Sequence, residues 1–368
     1  MFLKRVELAW RRLWIRVLVL LMRRPREPRP DWSEAPRRVL FLRHDRAGDM
    51  ILTTGIMRAI ASSHPTITLD VLASPANAAI LAAAEYVRDV IVFDKKRLST
   101  YARTITRLRR ARYDAVIDCM VTSPSLTTLL LIFASGARHR VGIAGRGNDA
   151  AFTITVPPET RTAAHIVDHL AALLPAFDVD PRRTDLRPTL ELTAAERANA
   201  ERIWQAESGE PPEGSRILIN VSAGTSARLW DDEHYGAIMG HVRALEPRAR
   251  FRVIGAPAES DRAARVAERG DGVFVRTPTI RDAFALVATS DFVFTPDTSI
   301  AHAAAAFRRN AVAMYIAGTV TRWGIYGAPA ARSVEHPAPT LRTLTVERMI
   351  QAVDQAWSEQ KERVSRSG

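Results

Sequence analysis

Short apolar runs alternate with stretches of helical character along most of this chain. Val39-Leu40-Phe41-Leu42 is four apolar residues in succession, the pattern of a strand buried on both faces. Similar runs stand at 68–72, 90–93 and 115–119, and a segment from Gly136 to Gly142 follows in the same half. After a polar, proline-bearing stretch at 178–188 the alternation restarts, with runs at 216–221, 251–254, 273–276, 292–294 and 311–315. Such strands alternating with helices predict parallel sheets covered on both faces. Two series joined by a linker predict an α/β chain of two doubly wound, Rossmann-like domains facing a cleft. No internal repeat of short fixed period is present.

The pattern sets the domain expectations: a basic amphipathic segment and linker at 1–35, domains at 36–180 and 186–345, and a C-terminal helix and tail at 346–368. A length of 368 residues suits two domains, and 47% hydrophobic content is ample for their cores. The single Cys119 excludes an internal disulfide and a cysteine-based zinc site, and fits a reducing compartment. Its apolar neighbours make it a small core residue.

Charge changes the picture at the N-terminus. The net charge is +12, and residues 1–30 carry nine basic residues against Glu7 and Glu27. Their apolar run is broken by Arg16 and is shorter than the ~20 residues that span a bilayer. No small-residue cleavage site follows it. A basic helix with Trp10 and Trp14 suits the interface of an anionic membrane, and Pro25, Pro28 and Pro30 end it. The alternative is a helix packed on the protein's own body.

Two segments carry the candidate chemistry. In Phe292-Val293-Phe294-Thr295-Pro296-Asp297-Thr298-Ser299-Ile300-Ala301-His302 a strand runs into a hydroxyl-rich helix start. Unpaired backbone N–H groups and hydroxyls there suit a diphosphate, or else form an ordinary junction capped by Asp297 or Ser299. In Arg43-His44-Asp45-Arg46-Ala47-Gly48-Asp49 a strand ends in a polar turn carrying Gly48, and Asp49 opens a helix. Asp49 either favours the helix dipole or acts as a base.

Together with Asn220-Val221-Ser222-Ala223-Gly224-Thr225-Ser226-Ala227-Arg228-Leu229-Trp230 and Arg322-Trp323-Gly324-Ile325-Tyr326-Gly327, these segments resemble the ADP-heptose:lipopolysaccharide heptosyltransferases, glycosyltransferase family 9. The resemblance spans residues 38–326 and implies the GT-B architecture, with an acceptor-binding first domain and a nucleotide-sugar-binding second domain. It implies an inverting, metal-independent transfer of a heptose or related sugar to a lipopolysaccharide core or related glycolipid. Asp49 is the implied catalytic base, with Asp45 second and Arg43 and Gly48 beside the catalytic turn. Thr225, Ser226, Arg228, Asp297, Thr298, Ser299, Ile300 and His302 are the implied donor-binding residues. No cofactor is implied; the donor, ADP-heptose, is a substrate. Arg228 stands where the family more often has lysine. Its guanidinium can grip diphosphate oxygens, stack on Trp230 or pair with Asp231. His302 can contact donor or sit at a core edge.

His165-Ile166-Val167-Asp168-His169 reads as the polar face of a helix, and no metal site is expected. Lys95, Lys96, Arg97, Arg103, Arg107, Arg109, Arg110 and Arg112 make a basic helix, a solvated face or a contact for an anionic glycolipid. No nucleic-acid module accompanies this charge, so nucleic acid is not an expected partner. The expected location is the cytoplasm, peripherally attached to the inner face of the bacterial cytoplasmic membrane. Another nucleotide sugar serving O-antigen or capsule, or a non-catalytic membrane-docked nucleotide-binding protein, are the alternatives. A dinucleotide oxidoreductase would need G-x-G-x-x-G after a strand, which Gly142-Ile143-Ala144-Gly145-Arg146-Gly147 does not supply.

Overall fold

The computed structural model describes residues 2–23, 25–34, 37–121, 124–160, 164–205, 214–329 and 331–367, without the side chains of 2–9, 11–12 and 360–367. Arg24 and the side chains of Lys4, Arg5, Glu7, Arg11 and Arg12, counted in the basic N-terminal segment, lie outside that description. The chain divides into two units, Met1–Leu186 and Arg187–Gly368.

The first unit begins with α1 (Phe2–Leu21), β1 (Arg37–Arg43), α2 (Ala47–Ser63), β2 (Ile67–Ala73) and β3 (Val87–Val92). It continues with α3 (Leu98–Ala111), β4 (Ala115–Asp118), α4 (Leu126–Ser135), β5 (His139–Ile143), β6 (Ile154–Val156) and α5 (Ile166–Ala171). Its strands form one parallel sheet in the order β3-β2-β1-β4-β5-β6. The second unit runs α6 (Ala194–Gln205), β7 (Arg216–Asn220), α7 (Asp232–Leu245), β8 (Arg250–Ile254), α8 (Ser260–Arg269), β9 (Val273–Phe274) and α9 (Ile280–Thr289). Then come β10 (Phe292–Pro296), α10 (Ser299–Ala306), β11 (Asn310–Tyr315), α11 (Val320–Trp323), β12 (Ala331–Glu335) and α12 (Val346–Ser367). Its parallel sheet is ordered β12-β11-β10-β7-β8-β9, the same winding read from the other edge. Each sheet therefore reverses direction once, between β1 and β4 and between β7 and β10. Ligands of open parallel sheets bind at the carboxyl ends of strands beside such a reversal.

β4, β5 and β10 are wholly buried; apolar runs account for β4 and β10, whereas β5 also buries His139 and Arg140, with Arg140 Nη2 donating to the Met22 carbonyl at 2.8 Å. The edges depart from the sequence reading. β3 spans Val87–Val92 and is mostly half-exposed, so the run at 90–93 overshoots it by Phe93. β9 is only Val273–Phe274, and β6 and β12 were not anticipated. All four are edge strands, which have a neighbour on one side only and need less apolar sequence.

Two observations concern α1. Ile15, Leu18 and Val19, with Met22 just after the helix, pack into a cluster with Leu129 and Ile132 of α4 and Tyr101 and Leu108 of α3. Trp10, Leu13, Trp14, Leu20 and Leu21 are exposed. The helix is docked on its own domain and still presents apolar side chains outward. Among the described residues no helix is long and apolar enough to cross a membrane.

Candidate active site

β1 delivers Arg43 to the first reversal point, where Leu42 pairs with Asp118 of β4. Arg43 is 2% exposed, and its charge is distributed over four acceptors. Nη2 lies 3.0 Å from Asp49 Oδ1, Nε donates to the Asp49 carbonyl at 3.2 Å and lies 3.4 Å from Asp45 Oδ1, and Nη1 donates to the Cys119 carbonyl. The turn that carries Asp45 is pinned from β2's side: Asn77 Nδ2 donates to the Arg43 carbonyl at 2.9 Å, and Ser74 Oγ to the Asp45 carbonyl at 2.9 Å. α2 begins at Ala47 with Arg46 as its cap residue, so Gly48 lies inside the first helical turn, not in the turn before it.

Burial pushes the Asp49 carboxyl up to about 6, outweighing the Arg43 guanidinium, and repulsion from Asp45 adds to the rise. Asp45 is raised by burial as well. Asp118, 7% exposed at the end of β4, is also pushed up to about 6 by burial. His44 moves the other way, down to about 4 through burial, and its Nε2 sits 3.1 Å from the Thr128 hydroxyl. At neutral pH this corner holds a neutral imidazole and, in Asp49 and Asp118, carboxyls pushed up to about 6. Such a carboxylate is suited to general-base work.

The second unit builds its corner from β7 and β10. Asn220, the last residue of β7, donates from Nδ2 to the Thr295 hydroxyl at 2.8 Å and the Thr298 hydroxyl at 3.2 Å. Thr298 caps α10, its hydroxyl accepting from the Ile300 N–H at 3.3 Å. The cap is thus Thr298, where the sequence suggested Asp297 or Ser299. Thr298, Ser299 and Ile300 line a pocket of about 260 Å³ whose other walls come from Asn220 and Ser222, Ile254 to Pro257, Thr277 to Ile280 and Ala283.

Arg228 follows the exposed loop that carries Thr225 and Ser226. It neither stacks on Trp230 nor pairs with Asp231. Its Nη2 meets Asp297 Oδ2 at 2.8 Å and its Nη1 donates to the Asp297 carbonyl at 3.1 Å. Trp230 is buried instead against Tyr235 and Phe294, with its Nε1–H on the Leu344 carbonyl at 2.8 Å. His302 is 4% exposed, inside α10. The structure therefore gathers Arg228, Asp297, Thr298, Ser299 and Ile300 at one sheet corner of the second unit. Thr225 and Ser226 stand on the exposed loop before it. Asp49, Arg43, Gly48 and Asp45 belong to the first unit.

Several participants escaped the sequence reading. Asn220 was seen only as part of a motif, and Asn77, Asp118 and the wall at 277–280 were not singled out. The box Thr279-Ile280-Arg281-Asp282 was legible: the Thr279 hydroxyl caps α9 and Asp282 returns the bond to the Thr279 N–H at 2.9 Å. Asn77 Oδ1 accepts locally from the Ser74 N–H at 2.8 Å, but the acceptors of its Nδ2, which tie it to the site, lie 31 and 34 residues away and left no signal. His165 and Asp168 form another such box at the start of α5. In the glycine cluster, a Cβ on Gly142 would come within 2.4 Å of the Phe152 ring, and Gly145 and Gly147 take φ of 82° and 75°. Packing and backbone conformation account for those glycines.

Comparison with known proteins adds to this geometry. The family model "Glycosyltransferase family 9 (heptosyltransferase)" matches residues 101–354. Lipooligosaccharide heptosyltransferase 2 of Haemophilus influenzae is 23% identical over 288 residues, covering 75% of this chain and 82% of that protein. A family 9 glycosyl transferase from Veillonella parvula superposes with a TM-score of 0.77 at 16% identity, over 90% of this chain and 99% of its own. The E. coli heptosyltransferase WaaC with ADP does so with a TM-score of 0.69 at 20% identity, over 87% and 99%. These two structural likenesses speak to the fold.

Proposed function

This chain belongs to glycosyltransferase family 9, and from that premise we propose that it moves a heptose, with inversion, from ADP-heptose to a lipopolysaccharide core or related glycolipid. The observation that carries the reading is Asp49, a carboxylate raised to about 6 at the carboxyl edge of β1 and tied to buried Arg43. Asp49 accepts the proton of the acceptor hydroxyl as that oxygen attacks the anomeric carbon. The bond from that carbon to the diphosphate oxygen breaks on the opposite side, and direct displacement inverts the configuration. Arg43 positions Asp49 and keeps it from turning away.

On the donor side, the leaving diphosphate gains charge as the bond breaks. Arg228 and the α10 N-terminus, with the Ser299 hydroxyl, supply the compensating positive potential without a metal ion. The neighbouring 260 Å³ pocket, walled by Ile254, Pro257, Pro278 and Ile280, suits a flat nucleobase. The ADP held by the E. coli relative supports adenine as that base. Thr225 and Ser226 close the donor site from their exposed loop, and Asp297 sets the direction of Arg228. The acceptor is an anionic glycolipid, and the protein works peripherally at the inner face of the cytoplasmic membrane.

The test is transfer by purified protein to a heptose-deficient lipopolysaccharide core, with ADP-heptose set against UDP-activated sugars. ADP release with a new heptosyl linkage of inverted anomeric configuration by NMR is expected. Turnover with a UDP-sugar alone would reject the donor assignment.

A further inference from the structure

We propose that a cleft beside α3 binds the phosphate of an anionic lipid headgroup, at the opposite edge of the first sheet from Asp49. The cleft measures about 650 Å³ and is walled by Arg38, Arg103, Arg107, Arg110, Asp89 and Tyr113. Four guanidinium groups thus face one wall carboxylate, and Arg107 already pairs with it. Arg38 donates to the Ala111 carbonyl at 2.6 Å and lies 3.7 Å from buried Asp70, while its buried Nε has no acceptor. Arg103 and Arg110 have no acidic partner among the described residues. Arg103, Arg107 and Arg110 recur at the spacing that places residues on one helix face. An oxyanion with several acceptor oxygens is what such a set lacks, and planar guanidinium groups match phosphate oxygens in pairs.

Position separates this cleft from the chemistry. Arg38 stands at the start of β1 and Tyr113 just before β4, so the cleft opens at the amino edge of the sheet. Arg43 lies five residues further along β1, roughly 17 Å at the rise of an extended strand.

The same face of the sheet names the source of the phosphate. α1, α3 and α4 share one apolar cluster and so form one helical layer. In that layer α1 exposes Trp10, Leu13, Trp14, Leu20 and Leu21, with the Trp10 and Trp14 rings 6.4 Å apart. Exposed tryptophans on one helix and arginines without an acidic partner on another helix of the same layer are the combination that a headgroup region accommodates. A free phosphate would meet arginines that are screened and hydrated, whereas a bilayer presents many headgroups at once. This inference deepens the membrane part of the reading above and rests on it.

The experiment is flotation of the full-length protein with vesicles of phosphatidylcholine, alone or mixed with phosphatidylglycerol. The Arg103→Glu/Arg110→Glu protein should bind the anionic vesicles at least ~10-fold more weakly than wild type. An Arg342→Glu control, at an exposed arginine of the second unit, should bind as wild type does. Both proteins should transfer sugar to a soluble acceptor fragment at the wild-type rate. Unchanged vesicle binding by the double variant, or an equal loss in the Arg342→Glu control, overturns the proposal. Calorimetry with inorganic phosphate distinguishes the source: saturable binding lost in the double variant while vesicle binding persists would make this a soluble-phosphate site. Absent transfer in every protein, with the vesicle result as expected, would reject the glycosyl-transfer reading and leave this cleft standing.

Discussion

Arg228 and Asp297 meet at 2.8 Å, although they stand on different elements of the second unit and are 69 residues apart. The cation placed to face a diphosphate is therefore also neutralising a carboxylate that is only 7% exposed. A donor's phosphate oxygens must share Arg228 with Asp297, and the guanidinium's five N–H groups, spread over a planar fork, serve both more readily than an ammonium's three.

Arg228→Ala should weaken ADP binding by about 1.5–3 kcal/mol, the loss of one charge-assisted contact. It should also lower the melting temperature, because Asp297 then keeps a buried charge without its counter-ion. Arg228→Lys should restore part of both. Titration calorimetry and thermal unfolding of the three proteins check this, and equal ADP affinity in all of them would place Arg228 outside the donor site.

Asp49→Asn should lower kcat at least ~100-fold with ADP affinity little changed, since it removes a proton acceptor and no phosphate contact. Steady-state kinetics beside calorimetry separate the two effects. Near-normal turnover in a folded Asp49→Asn protein would reject Asp49 as the base.

The raised Asp49 carboxyl makes a pH prediction with a definite sign. Because the group must be ionised to act, kcat/KM should fall below about 6, roughly tenfold per pH unit. Asp118 is pushed up to a similar value, so Asp118→Asn serves as the control and should retain that acid limb. For stability, the folded protein holds the Asp49 proton up to about 6 while the unfolded chain releases it near 3.8. Asp49's contribution is therefore largest at the acid end of that window and is lost as pH rises through it. Thermal unfolding of wild type and Asp49→Asn between pH 4 and 6 should differ by this slope.

α1 should behave as part of the fold on one side only. Met22→Ala, at the residue just after α1, removes a side chain that is 1% exposed in the first unit's core and should cost about 2–5 kcal/mol. Leu20→Ser and Leu21→Ser, at positions 68% and 67% exposed, should change stability by no more than about 0.5 kcal/mol. Denaturant unfolding distinguishes them; equal losses would mean that the outward face is also packed.

Much of the architecture was legible without coordinates, for a local reason. β1, β4, β7, β8 and β10 are flanked by strands on both sides and helices above and below. Their buried middles are mostly apolar, so each run announces itself, although β8 also buries Arg250 and Arg252. β3, β6, β9 and β12 pack on one neighbour only; β6 and β9 are three and two residues long, and β12 is half-polar, so they give short or weak runs. The helix cap at Thr298 was ambiguous because Asp297, Thr298 and Ser299 are all good capping residues. Asn220, from 78 residues away, hydrogen-bonds the Thr298 hydroxyl that caps the helix.

The alternation of strands and helices, the buried central runs and the three-residue reach of a capping box were determined by the sequence alone, because each depends on neighbours along the chain. Tertiary structure decided that Arg43 gathers Asp45, Asp49 and the Cys119 carbonyl, that Arg228 turns to Asp297 instead of Asp231, and that α1 packs a half-buried Val19 against the core while exposing Leu20. Burial and ion pairing depend on which distant segments share a sheet corner or a helical layer, and chain folding sets that proximity.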